Sequence, residues 1–251
     1  MVTLDKGTSG NNDAPPTVQP AATTAESSFS VGSILSRTFA TLMKNPAVFF
    51  GLAIIAILPS TIVEALSPEQ RSLGFVMQVV ETILSLAVQG AIAYTVYCVL
   101  TGKSTSLGDS VSRGMARIGP LLLAAILTGL GIGIGMLLLV IPGIIVMCVW
   151  AVTIPACVVE KLGPLESINR STELTRGYRM PIFGLLLITG LLGVGFIIGA
   201  ATQSVMAATL VAAPFVAAIQ AFNCVMVAII YYDLRAIKEG VTLDSLANVF
   251  D

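Results

Sequence analysis

Histidine is absent from this 251-residue chain, which removes the commonest metal ligand and the usual proton shuttle at neutral pH. Charge is scarce: only 11% of residues are Asp, Glu, Lys or Arg, less than half the roughly 25% of a soluble domain. The four cysteines, Cys98, Cys148, Cys157 and Cys224, all lie inside apolar runs without CxxC spacing. That disfavours a disulfide framework or a zinc site and favours packed or lipid-facing thiols. No nucleophile elbow and no paired-carboxylate motif interrupts the apolar segments. No catalytic residue, cofactor or metal is expected, and the chain does not read as an enzyme.

Apolar residues are abundant, at 55% of the chain, and mean hydropathy is +0.92. Runs of about 18 or more uncharged apolar residues read as spanning helices, since each must cross roughly 30 Å of hydrocarbon. Such segments run approximately over Ala47–Val63, Leu73–Leu100, Ile118–Ile141, Gly143–Val159, Pro181–Val205 and Ala207–Tyr231. The third and fourth are separated only by Val140-Ile141-Pro142-Gly143, and a Pro-Gly pair is a chain-reversal signal. One helix from Ile118 to Val159 would be about 60 Å long, so a tight hairpin at Pro142-Gly143 is expected. The fifth and sixth meet at the short uncharged link around Gln203-Ser204. Residues 1–29 differ from the rest, with polar stretches such as Asn11-Asn12-Asp13-Ala14-Pro15-Pro16. They lack the apolar centre of a signal peptide and read as a disordered tail. The expected fold is an all-α integral membrane protein, with residues 30–251 forming six transmembrane helices as three hairpins.

The basic residues are distributed unevenly. Of the 13 Lys and Arg, all but Arg71 fall on one side of such a bundle: in the amino-terminal segment, the second-to-third and fourth-to-fifth connections, and the tail. By the positive-inside rule that side is cytoplasmic, and both termini with it.

A threefold pattern underlies the spans. Ser30-Val31-Gly32-Ser33-Ile34-Leu35-Ser36-Arg37 aligns without gaps to Ser106-Leu107-Gly108-Asp109-Ser110-Val111-Ser112-Arg113. Pro164-Leu165-Glu166-Ser167-Ile168-Asn169-Arg170-Ser171 is a looser third copy, shifted by one residue. Each leads to a proline near the start of a span: Pro46, Pro120 and Pro181. The unit reads as a short amphipathic cytoplasmic interfacial helix plus a membrane hairpin. Val31, Ile34, Leu35, Phe39 and Leu42 share one helical face, as do Leu107, Val111, Met115 and Ile118. Ser106 and Asp109 have capping-box spacing, and Leu243, Leu246, Val249 and Phe250 repeat the stripe in the tail. Such helices suit the headgroup layer, or equally the cytoplasmic end of the bundle.

Glu81 is the one ionisable side chain well inside an apolar run, with Gln78, Ser85 and Gln89 at helical spacing from it. An intramembrane carboxylate marks a proton or cation path. Alternatively this long segment carries Glu81 to the outer headgroups, which is the reading preferred here. Gln220 and Asn223 share a face of the sixth span, and contact between the second and sixth spans would bring Gln89 to Gln220. Amide pairs of this kind usually serve as packing glue. Gly129, Gly131, Gly133 and Gly135, and also Gly195 and Gly199, have small-xxx-small spacing that permits close helix approach. Thr153-Ile154-Pro155 predicts a kink. Glu166, Glu173, Arg170 and Arg176 alternate in sign, as on a solvated, salt-bridged face.

Three segments together carry a family resemblance: Ile141-Pro142-Gly143 through Pro155-Ala156-Cys157-Val158-Val159-Glu160; Gly163 through Ser171 with Leu174-Thr175-Arg176-Gly177; and Tyr231-Tyr232-Asp233-Leu234-Arg235-Ala236-Ile237-Lys238-Glu239-Gly240. From about Phe29 onward the chain resembles the bacterial membrane-domain family named after the membrane part of glycerophosphoryl diester phosphodiesterase, and its YciC-like relatives. In the named enzyme the chemistry belongs to a separate soluble barrel, so the resemblance implies the fold and a bacterial inner-membrane location and leaves function open. Two functions are expected, in order: a non-enzymatic membrane protein acting through lipids or partner proteins, and a small-solute or ion transporter or channel using the polar faces of spans two and six. The expected partners are membrane lipids, a second copy of the chain or another membrane protein, with no nucleic acid.

Overall fold

Ser30 and Ser106, which the sequence alignment pairs, both act as helix N-caps. The Ser30 hydroxyl accepts the Ser33 N–H at 3.3 Å, and the Ser106 hydroxyl accepts the Asp109 N–H at 3.1 Å. Each satisfies a donor that a first helical turn leaves without a partner. The computed structural model describes residues 29–66, 71–201 and 205–240, with side chains described for 29–59, 76–194 and 214–240. In it these caps open α1 (Val31–Lys44) and α4 (Leu107–Met115). The third copy opens α8 (Pro164–Thr175) by another device: the Gly163 N–H donates to Glu166 Oε2 at 3.0 Å. The expected disordered tail, the Gln203-Ser204 link, the Leu243–Phe250 stripe and the surroundings of Gly195 and Gly199 lie outside the described residues.

Each short helix leads into two longer elements. After α1 come α2 (Pro46–Leu66) and α3 (Arg71–Leu100). After α4 come α5 (Ile118–Leu138) and α6 (Val140–Val149), the latter continued by α7 (Thr153–Val159). After α8 come α9 (Arg179–Ala201) and α10 (Val205–Glu239). Pro46, Pro120 and Pro181 fall within the first three residues of α2, α5 and α9, where a missing N–H costs no helical hydrogen bond. Among the described residues all regular structure is helical. Val76–Leu100, Ile118–Leu138, Val140–Val159 and Pro214–Glu239 are long and apolar enough to cross a membrane. Two bent pairs, α1 with α2 at 94° and α8 with α9 at 105°, raise the number of candidate spans to as many as six. These apolar helices fit a membrane protein.

The α5–α6 reversal falls earlier than the sequence signal. Leu139, extended at φ −160° and ψ 140°, turns the chain alone, and Pro142 is the third residue of α6. Proline suits that position because its N–H would have no acceptor there. Gly143 serves packing instead: a Cβ on it would lie 2.7 Å from Met136 N, and one on Gly135 would lie 2.9 Å from Gly143 Cα. Of the four glycines in the α5 run, Gly135 faces Gly143 of α6 and Gly131 faces the Trp150 ring just past α6, while Gly129 and Gly133 have open space beside them. Spacing alone does not tell these two pairs apart.

The expected kink at Pro155 is a full break placed ahead of it, from Trp150 to Val152, with Pro155 third in α7. The freed backbone groups find partners on α8. The Val149 carbonyl accepts the Ser171 and Thr175 hydroxyls at 2.9 and 3.0 Å, and the Val152 N–H donates to Ser171 Oγ at 3.3 Å. Wherever water is excluded, a helix break needs such substitute partners.

α3 and α10 form the centre, in contact with each other and with most of the remaining helices. Phe49, Leu52, Ile92, Tyr97, Met226, Ile229 and Tyr231 are buried between them and α2. α1 packs across the end of the bundle through Ile34, Thr38, Thr41 and Leu42, and turns Phe39 and Met43 outward.

Candidate functional site

The polar stripe of α3 divides into two environments. Gln78 is exposed and Glu81 is half-buried, and no partner for the Glu81 carboxylate occurs among the described residues. Glu81 precedes Leu100 by 19 positions, about 28 Å along a helix, close to the roughly 30 Å thickness of a hydrocarbon core. Ser85 and Gln89 turn inward. Gln89 Nε2 donates to Ser85 Oγ at 3.4 Å, and Gln220 Nε2 from α10 donates to the same oxygen at 3.5 Å. Both contacts are long and hence weak. Asn223 Nδ2 donates to the Ile219 carbonyl at 3.1 Å.

Gln89, Gln220 and Asn223 line one side of a 230 Å³ cleft, and Ala151, Ile154 and Pro155 from the α6–α7 break line the other. Glu81 and Gln78 are not part of its wall. The cleft offers amide donors and acceptors near the middle of the candidate spans. Its wall carries no Asp, Glu, Lys or Arg, and the free Cys224 thiol completes it beside the amides, so what it offers a ligand is chiefly hydrogen bonding. Among the described residues no group of three His, Cys, Asp or Glu side chains is placed to hold a metal, and the four cysteines are free.

A charged cap closes the end of the bundle where the basic residues gather. Glu160, just past α7, accepts two hydrogen bonds from Arg170 Nε at 2.8 and 3.0 Å and one from the Tyr231 hydroxyl at 2.8 Å. Arg235 approaches the same carboxylate at 4.0 Å and pairs with Glu239 at 2.8 Å. Arg170 also pairs with Glu239, and Lys238 donates to the Glu173 carbonyl. Arg37 on α1 pairs with Asp233 on α10. Two arginines and two glutamates therefore join the ends of α7, α8 and α10 with no net charge.

Sequence reasoning missed this cap. The expected solvated, salt-bridged face holds for the exposed Glu173, which pairs with Arg170 at 3.8 Å, but not for the inward pairs of Arg170 with Glu160 and Glu239. Arg235 and Lys238 were counted only for orientation. The available signal was the grouping of Glu160, Arg170 and Tyr231–Arg235 in the three segments that carry the family resemblance. Those segments, two adjacent and the third far along the chain, meet at one carboxylate.

Residues 115–232 match the family described as "Domain of unknown function (DUF7847)". The matched stretch runs from the last residue of α4 to Tyr232, and takes in Glu160, Arg170, Tyr231, Gln220 and Asn223. The match shows no link to the glycerophosphoryl diester phosphodiesterase membrane family or its YciC-like relatives. No curated protein and no solved structure matches the chain.

Proposed function

We propose that this is a non-enzymatic multi-pass protein of the inner (cytoplasmic) membrane, whose basic end faces the cytoplasm and engages anionic lipids of that leaflet. One observation carries the reading. Two short helices turn 94° and 105° from the long helices that follow them, as helices lying along a membrane surface would. The first exposes Phe39 at 59% and ends in Lys44, and past the second the exposed Met180, at 79%, lies beside Arg176 and Arg179. These three cations pair with no carboxylate among the described residues. Apolar groups beside unpaired cations suit the boundary between headgroups and acyl chains.

A transport reading has one observation in its favour: the α6–α7 break lines the cleft, and interrupted helices form substrate sites in many transporters. The separation of Glu81 from that cleft counts against it. The absence of any charged group in the cleft wall counts against a cation path.

Depth measurement tests the lipid reading. A nitroxide at Phe39→Cys, in a background with the native cysteines replaced, should collide with oxygen in preference to a water-soluble nickel chelate in reconstituted vesicles. Nickel access equal to that of a label at Lys103→Cys would place α1 in water and refute the reading.

A further inference from the structure

A second cleft lies at the basic end, outside the charged cap. It measures 160 Å³ and is lined by Tyr94, Arg113, Ala116, Arg117, Val158 and Lys161. Three elements converge there: α3 near its last turns, the corner between α4 and α5, and the end of α7. Gly114 makes the convergence close. A Cβ on it would sit 2.1 Å from the Ala87 carbonyl oxygen, so α4 rests on the backbone of α3 itself.

Each cation is held by a different device. The Arg113 guanidinium lies over the Tyr94 ring, 4.9 Å from its centroid, a cation–π arrangement that restrains it without neutralising it. Arg117 Nη2 donates to the carbonyls of Cys157 at 3.5 Å and Leu162 at 3.4 Å, where the α7 helix ends, and the Cys157 thiol donates to the same Leu162 oxygen at 3.6 Å. Lys161 takes φ +54°, and is the one non-glycine residue with positive φ among the described residues. That conformation costs about 1 kcal/mol, and the turn it makes brings the Leu162 carbonyl to Arg117.

The charge in this cleft is unbalanced. Its lining contains no Asp or Glu, and among the described residues no carboxylate pairs with Arg113, Arg117 or Lys161, whereas Arg170 and Arg235 are matched in the adjoining cap. Arg117 Nε is buried and has no hydrogen-bond partner among the described residues. A buried donor left unmade costs about 1–3 kcal/mol, and three like charges around one small space repel. An anion with several acceptor oxygens relieves both.

We propose that this cleft binds the phosphate of an anionic membrane phospholipid, with the phosphate oxygens accepting hydrogen bonds from Arg113, Arg117 and Lys161. The proposal rests on the reading that the basic end meets anionic lipid, and gives that reading a specific seat. The guanidinium fork matches phosphate geometry. Basic pockets between helices on the cytoplasmic side are where lipid headgroups are held. The neighbouring Val158 and the exposed Met115 side chain supply apolar surface for the start of an acyl chain.

The test is thermal unfolding of the purified full-length protein in uncharged detergent, titrated separately with phosphatidylglycerol, phosphatidylcholine and inorganic phosphate. Phosphatidylglycerol should stabilise the wild type and phosphatidylcholine should not. Arg113→Gln and Lys161→Gln, both at exposed side chains, should each raise the half-stabilising phosphatidylglycerol concentration about fivefold, with little change in unfolding without lipid. Arg117→Lys keeps the charge and loses the fork, and should weaken the lipid effect as well. Glu81→Gln, on α3 but outside the cleft wall, should leave it intact. Stabilisation by phosphatidylglycerol that all three cleft variants retain would overturn this site and spare the lipid reading. No stabilisation of the wild type would overturn both. Equal stabilisation by inorganic phosphate, with nothing added by phosphatidylglycerol, would assign the cleft to free phosphate and overturn the lipid proposal.

Discussion

Tyr231 on α10 donates its phenolic hydrogen to Glu160 at the end of α7, at 2.8 Å and across 71 positions of sequence. The same carboxylate holds Arg170 of α8 and stands 4.0 Å from Arg235 of α10. One side chain therefore sets the spacing of three helix ends. Its exposure is 14%, so its charge is largely withdrawn from water. A carboxylate so placed persists only while its partners are present.

Glu160→Gln should lower the stability of the detergent-solubilised protein by about 1–3 kcal/mol, because it leaves Arg170 and Arg235 with less negative charge than they were built to meet. Tyr231→Phe removes one hydrogen bond and should cost about 1 kcal/mol. The double variant should cost less than the sum of the two. Thermal unfolding of all three measures the coupling, and strict additivity would mean that the residues act independently.

The glycines of α5 separate into two expected classes. Gly135→Ala forces α5 and α6 apart at their closest approach and should destabilise by about 1–3 kcal/mol. Gly133→Ala points into open space, so it should be neutral or slightly stabilising through better helix propensity. Equal destabilisation by both would show that the run serves flexibility rather than contact.

Glu81→Gln should leave both folded yield and vesicle ion permeability unchanged, given the distance of Glu81 from the cleft. Gln220→Leu removes the α10 donor to Ser85 and should cost about 0.6 kcal/mol, in the range of membrane packing contacts. A proton or cation flux present in wild-type vesicles and lost in Glu81→Gln would reverse the order of the two functional readings.

Orientation is testable at a described position. A cysteine at Lys103 should resist a membrane-impermeant maleimide in intact cells and react after permeabilisation. Reaction in intact cells would put the basic end outside.

The repeated helix starts were legible in the sequence because capping is local: Ser30 and Ser106 need only the backbone three residues on. Helix ends were less legible where packing chose among nearby options. Pro142-Gly143 carries a turn signal, yet Leu139 turns the chain, since proline is equally content in a first helical turn and Gly143 is needed where α6 crosses Met136. Pro155 signals irregularity, but the break lies at Trp150–Val152, where Ser171 and Thr175 of another helix supply the missing partners. Shared helical faces set Gln89 opposite Gln220 provided the two helices touch, but that both reach Ser85 rather than each other depends on side-chain geometry the sequence does not carry. The cap around Glu160 and the cleft around Arg117 were not legible, because charges that meet only in three dimensions look in one dimension like solvated faces or topology markers.

Lipid selectivity tests the central claim most directly. With the protein reconstituted in phosphatidylcholine vesicles, trace spin-labelled phosphatidylglycerol and spin-labelled phosphatidylcholine are compared for the fraction immobilised at the protein surface. The expected result is severalfold preference for phosphatidylglycerol that falls with salt and shrinks when Arg113, Lys161, Arg176 and Arg179 are changed together to Gln. Equal immobilisation of the two lipids at low salt would contradict the account.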